Sequence, residues 1–192
     1  IEKIRSDLPK GLEIVDLMST KDFLDASIKN VIKTLFEAIL LVILVVFIFL
    51  QSFRSTVIPT ISIIVSLVGT FAFLMVAGFS LNMITLFALV LVIGTVVDDA
   101  IVVVEAAQAK FDEGYRSPYK ATVDAMGGIA TALVATTFVF MAVFIPVSFM
   151  GGTTGTFYTQ FGLTMAVAVG ISLVNSLSLS PALCAIIMTP HE

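Results

Sequence analysis

Charged residues are nearly absent from two long stretches of this 192-residue chain. No Lys, Arg, Asp or Glu occurs between Ser55 and Val97, and none occurs between Ala125 and Pro190. Over the whole sequence 12% of residues are charged, 58% are hydrophobic, and the mean hydropathy is +1.10. These values exclude an ordinary soluble domain. Each uncharged stretch is instead long enough for two bilayer-crossing helices of about 20 residues.

Cysteine and histidine are also scarce. The single Cys184 excludes an internal disulfide, and a lone thiol in an apolar run usually acts as a small hydrophobe, so redox chemistry gains no support. His191 is the only histidine and makes no metal site with one Cys, so we expect no metal and no cofactor. Gly151–Gly155 lacks the Lys and Ser/Thr of a phosphate loop. No basic patch accompanies the sixteen Phe residues, so no nucleic-acid partner is expected.

The apolar runs predict helices. A run such as Leu40–Leu50 lacks the alternation of period two that a membrane barrel shows, and backbone polar groups in lipid must be paired within the segment. Polar turns, with Ser80 or Asn82 as a helix cap, divide the chain into five crossings. We predict these at residues 34–53, 57–77, 83–107, 125–149 and 157–188, the last of them long enough to tilt or bend at Pro181. The expected fold class is an all-α integral membrane protein, a five-transmembrane-helix bundle within residues 31–190.

Residues 1–30 differ in composition and predict a short soluble α/β segment. Ile1–Leu8 is consistent with the remnant of a helix, and Leu12–Leu17 predicts a strand from its partial alternation. The next helix is expected to start at Asp22 or Ser27. The chain begins with Ile and shows no features of a signal peptide, so we expect it to be an excised piece of a longer protein.

The distribution of basic residues in the short loops predicts the orientation. Arg54 and the charged connection at residues 110–124, where Gly114 and Pro118 are expected to break the helix, carry the positive charge, whereas loops 78–82 and 150–156 carry none. The charged loops are therefore predicted to be cytoplasmic. Five crossings then place the N-terminal segment in the periplasm and the C-terminal end in the cytoplasm. The six Lys and Arg residues before residue 34 oppose this, but a long translocated domain escapes the rule.

Two adjacent acids, Asp98 and Asp99, lie well inside the third crossing. At about 1.5 Å per residue, Asp98 is roughly 22 Å from the outer end of that helix, near mid-membrane. A carboxylate there is disfavoured unless it is paired, hydrated or protonated, and two neighbours also repel each other. No Lys or Arg occurs within any predicted crossing, so a purely structural salt bridge would need a partner from elsewhere. The pair therefore indicates proton or ion handling.

Weaker candidates surround this pair. Glu37 and Glu105 each lie near a helix end, where they can reach the headgroups, so a packing or gating role for Glu37 is an open alternative. Asn175, with Ser172, Ser176, Ser178 and Ser180, places polar groups inside the fifth crossing. Hydrogen bonding between helices is the favoured role for Asn175, and a place in a polar pathway is the alternative. Four glycines are predicted to allow close helix packing, namely Gly69, Gly94, Gly162 and Gly170.

An ordered set of motifs resembles a known family. The run Phe87–Glu105, with Asp98-Asp99 near its centre, closely resembles the fourth transmembrane helix of resistance-nodulation-division (RND) transporters, in the hydrophobe/amphiphile multidrug efflux branch. Further similar segments are Thr34–Ala38, Phe49–Arg54 with Pro59-Thr60, Gly78–Asn82, Phe149–Gly155 and Ser180–Ala185. The chain is thus similar to transmembrane helices two to six in the first half of such a transporter, which is half of an RND transmembrane domain. The end of a periplasmic porter subdomain precedes them.

The resemblance implies a secondary active transporter of the bacterial inner membrane that exports drugs or other amphiphilic compounds. Asp98 and Asp99 would form its proton relay, driven by the proton-motive force and without a cofactor. The implied partners are the lipid bilayer, the remaining half of the transporter with a lysine facing the Asp pair, further copies in a homotrimer, a periplasmic adaptor and an outer-membrane channel. The drug pocket would lie mainly in periplasmic domains outside this chain.

Two other functions fit parts of the sequence. A proton-coupled protein-export subunit of the same superfamily would share intramembrane acids with an efflux transporter. An intramembrane aspartyl protease also needs two buried acids, but its carboxylates face each other across a gap. Side chains at neighbouring positions of one helix point about 100° apart, so the spacing of Asp98 and Asp99 argues against the protease.

Overall fold

The computed structural model describes residues 20–79, 82–152 and 154–189, and these form α-helices without a strand. The helices are α1 (Thr20–Leu50), α2 (Phe53–Val76), α3 (Met83–Asp112), α4 (Pro118–Ser148), α5 (Gly155–Leu177) and α6 (Leu179–Ile187). Within the described part, five segments are long and apolar enough to cross a membrane, α5 and α6 together counting as one. The predicted all-α membrane fold is confirmed. The helix and strand predicted at Ile1–Leu8 and Leu12–Leu17 lie outside the described residues.

Side-chain caps fix where α2, α3 and α4 begin. Asn82 starts α3 with a capping box, because its Oδ1 accepts hydrogen bonds from the backbone N–H groups of Ile84 and Thr85, and Thr85 Oγ1 accepts one from the Asn82 N–H. Ser52 caps α2 in a similar way. These bonds satisfy donors at the helix ends that would otherwise be unpaired. Within the described residues α1 begins at Thr20, ahead of the predicted starts at Asp22 and Ser27.

The charged connection is shorter than predicted. α3 continues to Asp112 and α4 already starts at Pro118, so only residues 113–117 are non-helical. Gly114 ends the turn with a φ of +100°, as a helix breaker does. The prediction for Pro118 is wrong, because this proline opens α4. The first turn of a helix needs no N–H there, and Ser117 supplies the cap.

The fifth crossing is broken at Ser178, three residues before the proline at which we expected a bend. α5 ends at Leu177, Ser178 has φ −124° and ψ −66°, and α6 begins at Leu179. Proline lacks an N–H and its ring clashes with the carbonyl four residues earlier, which belongs to Leu177. Pro181 itself then lies in the first turn of α6, where proline is tolerated. The break is therefore the local consequence of Pro181.

α3 is the central helix of the bundle, since it contacts each of the other five described helices. Its buried residues recur every three or four positions and include Leu89, Val92, Val96, Ala100 and Val103. By contrast, α1 and α4 leave large apolar side chains exposed, among them Phe36, Leu40, Phe138 and Val139. Such faces suit lipid or further protein in a membrane.

Small residues let α5 approach its neighbours closely. A Cβ added at Gly162 would lie 2.8 Å from the Phe144 carbonyl oxygen on α4. A Cβ at Gly170 would lie 2.8 Å from Met141 Cε, also on α4, and one at Gly69 would lie 3.2 Å from the Ile171 side chain. These three glycines lie where helices meet. At Gly94 an added Cβ would meet no described atom within 4 Å, so the packing prediction for Gly94 is wrong over the described residues.

Candidate functional site: an acidic pair on the central helix

Asp98 and Asp99 occupy the middle of α3 and face different surroundings. Asp98 is exposed, whereas Asp99 is half-buried, as expected for neighbours that point about 100° apart on one helix. Their helix neighbours Val96, Val97 and Ala100 are buried in the bundle. The two carboxylates are thus held side by side by a rigid central helix, with one directed outward and the other partly enclosed.

A narrow exposed stripe runs along α3 even though the helix is central. Its members are spaced three or four residues apart: Phe87, Leu91, Gly94, Asp98, Val102 and Glu105. Asp98 therefore lies on a face of α3 that the other described helices cover only in part. A carboxyl group in this position at membrane depth is costly to ionise. It is expected to be hydrated, protonated or paired with a cation.

Both acids line one cleft, which we call the Asp cleft. It has a volume of about 290 Å³ and lies between α3, which contributes Thr95, Asp98, Asp99 and Val102, and α4, which contributes Ala132, Leu133, Thr136 and Phe140. The hydroxyls of Thr95 and Thr136 donate to carbonyl oxygens of their own helices. The volume is sufficient for several water molecules beside the carboxylates.

Asp99 has one hydrogen-bond partner on another helix. Ser172 Oγ on α5 donates to Asp99 Oδ2 over 2.7 Å, and Ser172 is buried. Among the residues that the structure describes, no Lys or Arg forms an ion pair with Asp98 or Asp99. The ionised form of the pair is therefore supported here by a hydroxyl and by access to the cleft.

Asn175 belongs to a second set of interhelical hydrogen bonds. Asn175 Nδ2 donates to Ser66 Oγ on α2 over 2.7 Å, and the hydroxyls of Ser62 on α2 and Ser180 on α6 lie 2.9 Å apart. All four side chains are buried. Three polar contacts thus follow one another along α5 and α6, namely Ser172 with Asp99, Asn175 with Ser66, and Ser180 with Ser62.

The structure does not bring the other two predicted acids into the Asp cleft. Glu37 is exposed on α1, with its Oε1 3.6 Å from Lys33 Nζ. Glu105 is exposed two turns beyond Asp98 and lines a separate cleft with Ser55, Gln108 and others near the charged end of the bundle. The site that the structure assembles therefore consists of Asp98, Asp99 and Ser172.

Sequence reasoning missed Thr95 and Thr136 as lining residues and did not connect Ser172 with Asp99. Thr95 had a usable signal, because it lies three and four residues before the two acids and so shares a helix face with them. Thr136 and Ser172 lie on other helices. Their contacts depend on how α4 and α5 pack against α3, which spacing along the chain does not encode.

The fold and the site are those of a multi-spanning helical membrane protein. Its central helix carries two adjacent acids at the middle of its length. Residues 1–192 match the model of the AcrB/AcrD/AcrF family. The chain therefore belongs to this family, the RND efflux transporters.

Three relatives show how far the similarity extends. The chain is 45% identical over 190 residues to the multidrug export protein AcrF of Escherichia coli, covering 99% of the chain. It is 43% identical over 192 residues to the solvent-resistant pump membrane transporter SrpB of Pseudomonas putida, covering 100% of the chain. It is 45% identical over 188 residues to the multidrug resistance protein MdtF of E. coli, covering 98%. In each case the chain spans 18% of the relative's length.

Proposed function

We propose that this chain is the proton-coupling segment of an inner-membrane transporter that exports drugs, solvents or other amphiphilic compounds. The observation that carries the proposal is the exposed carboxylate of Asp98 beside Asp99 in the middle of the central helix, where both line a cleft of about 290 Å³. Acids at membrane depth are typical of proton relays in pumps and transporters. The energy source is then the proton-motive force, and no cofactor takes part.

The two carboxylates have different roles in proton transfer. Asp98 faces the Asp cleft and is the first group that a proton meets. Asp99 is deeper, and its charged form accepts the hydrogen bond of Ser172. Once Asp99 is protonated, its own O–H needs an acceptor, so the direction of the bond to Ser172 reverses. Each proton uptake thus changes a contact between α3 and α5, and that change is transmitted to the bundle.

The remaining half of the transporter is expected to pack on the exposed stripe of α3 and to supply the basic partner of the Asp pair. We also carry over, as part of this proposal, assembly as a homotrimer with a periplasmic adaptor and an outer-membrane channel. The relatives named above are a multidrug export protein, a solvent-resistant pump and a multidrug resistance protein, which supports hydrophobic or amphiphilic small molecules as substrates. They support efflux over protein export.

The orientation belongs to the same proposal. Arg54 at the start of α2 donates to Thr189 after α6, so these two chain segments lie at one end of the bundle. An ion pair between Lys110, near the end of α3, and Asp124, in the first part of α4, links these two helices. The short loops at this end contain Lys and Arg residues, whereas loops 78–82 and 150–156 contain none. This difference supports a cytoplasmic location for this end, with the segment before α1 in the periplasm.

The test is drug export by cells that express the full-length transporter with Asp98→Asn or Asp99→Asn. Each amide keeps the size of the side chain but does not bind a proton near neutral pH. We expect either change to abolish export while the protein is still present in the membrane. Glu105→Gln is the matched control, since it makes the same chemical change on the same stripe about 10 Å further along α3. Normal export by both Asp variants would refute the relay.

A further inference from the structure

We propose that Asn175 is a positioning residue of the proton relay: its hydrogen bond to Ser66 fixes the rotation of α5 so that Ser172 meets Asp99. This inference rests on the proposed relay and assigns a role to two residues that do not line the Asp cleft, Asn175 on α5 and Ser66 on α2. The first step of the argument is the placement of the two contacts. Asn175 follows Ser172 by three residues, so both side chains leave the same side of the helix about 4.5 Å apart along its axis.

The two bonds anchor α5 to two different helices. Ser172 reaches α3 through Asp99, and Asn175 reaches α2 through Ser66, each over 2.7 Å. α2 and α3 are themselves packed together. Asn175 and Ser66 are both buried, and leaving either polar group unpaired there is costly, so the bond resists being broken.

A small rotation is enough to separate Ser172 from Asp99. At the side-chain radius of a helix, about 5 Å, a turn of about 20° moves an atom by roughly 1.7 Å. Added to a 2.7 Å contact, such a displacement takes the pair beyond hydrogen-bond range.

The neighbouring Ser62–Ser180 bond does not have this role, although it also joins α2 to the same crossing. Ser180 lies on α6, beyond the break at Ser178. Because the regular helix does not continue through Ser178, the rotation of α5 is set by contacts on its own side of the break. Asn175 is on that side, and Ser180 is not. The structure therefore contains a matched internal control.

Among the described residues Asp99 has few charged neighbours whose own titration would shift the midpoint of the pH profile. On α3 its adjacent acid is Asp98. From α4 the Asp cleft receives only Ala132, Leu133, Thr136 and Phe140, and α5 presents Ser172. Within the described residues no basic side chain forms an ion pair with it. In the full transporter the expected basic partner from the remaining half is present in every variant. It therefore does not account for differences between their pH midpoints.

The experiment measures transport of a hydrophobic cationic dye by the full-length transporter in proteoliposomes as a function of pH. Ser172→Ala defines the effect of losing the bond to Asp99. We expect Asn175→Val and Ser66→Ala to move the midpoint of the pH profile in the same direction as Ser172→Ala, by about half a unit or more. The double variant S172A/N175V should move it no further than S172A alone, because both changes act through one contact.

Two further variants separate positioning from general packing. Ser180→Ala removes the neighbouring interhelical bond and should leave the midpoint where it is. The exchanged pair, Ser66→Asn with Asn175→Ser, retains a hydrogen bond between α2 and α5 and should restore the original profile. If Asn175→Val reduces the amount of protein in the membrane, Ser66→Ala breaks the same bond by removing a single oxygen atom.

Three results would overturn the inference. These are an unchanged midpoint in Ser172→Ala, an unchanged midpoint in Asn175→Val and Ser66→Ala, or shifts that add in the double variant. An unchanged midpoint in Ser172→Ala would also remove the α3–α5 contact from the proposed transmission step, but proton-coupled export itself fails only if Asp98→Asn and Asp99→Asn both export normally. The two proposals are thus tested by different variants and different readouts.

Discussion

Ser172 on α5 donates a hydrogen bond to Asp99 on α3 across 2.7 Å, from a position that is itself buried. This contact links an acid at the middle of the central helix to a serine of the fifth crossing. A hydrogen bond to a charged group typically contributes about 1.5–3 kcal/mol. The two protonation states of Asp99 therefore differ in how strongly they hold α5 to α3.

Ser172→Ala tests that link directly. Removing the hydroxyl takes away the donor to Asp99 and should change the protonation equilibrium of the relay by about tenfold, since about 1.4 kcal/mol corresponds to one pH unit. We expect the midpoint of pH-dependent export to move by about one unit while the protein folds and inserts. Ser172→Thr keeps a hydroxyl and is the control. A profile identical to that of the unmodified transporter would show that the contact has no part in proton transfer.

Gly162→Ala is expected to destabilise the bundle. An added methyl would lie 2.8 Å from the Phe144 carbonyl oxygen and 3.1 Å from the Ser148 backbone nitrogen, and backbone atoms in α4 do not move aside easily. Overpacking of this kind costs about 1–3 kcal/mol. The measurement is thermal unfolding of the purified full-length transporter in detergent.

Gly170→Ala provides the control for Gly162→Ala on the same helix. Its added methyl also comes within 2.8 Å of α4, but the atom there is Met141 Cε, the end of a flexible side chain. Alanine is also the better helix former by about 1 kcal/mol. We expect little loss of stability. Equal losses in the two variants would contradict the distinction between backbone and side-chain contacts.

Pro181→Ala is expected to remove the break between α5 and α6. Residue 181 would regain an N–H that can bond to the Leu177 carbonyl oxygen, and the clash of the ring with that oxygen would disappear. A continuous helix moves Ser180 relative to Ser62. The distance is measurable by disulfide formation between Ser62→Cys and Ser180→Cys, whose oxygens now lie 2.9 Å apart, in a Cys184→Ala background. Crosslinking should be efficient with Pro181 and weaker without it.

Much of the fold was predictable because the membrane imposes a length and an apolar composition on each crossing. The position of Asp98 and Asp99 on the third crossing followed from the sequence, and so did the cap at Asn82. Two of the wrong predictions concern proline, which can either interrupt a helix or occupy its first turn. Pro118 was taken as a breaker but opens a helix, and the effect of Pro181 appears one turn before it. The partners Ser172 and Thr136 were not predictable, since their contacts depend on the packing of three helices.

Glu37→Gln is expected to leave export largely intact, which distinguishes a peripheral acid from the relay. Glu37 is exposed on α1, and its nearest described cation is Lys33, one turn earlier at 3.6 Å. Near the end of a crossing such a pair can reach the headgroups, where it contributes little to stability. More than about half of the original export should remain. Drug susceptibility of cells with equal amounts of transporter in the membrane is the measurement. A loss as complete as that of Asp99→Asn would mean that a second acid, far from the Asp cleft, takes part in proton coupling, and that the relay extends to α1.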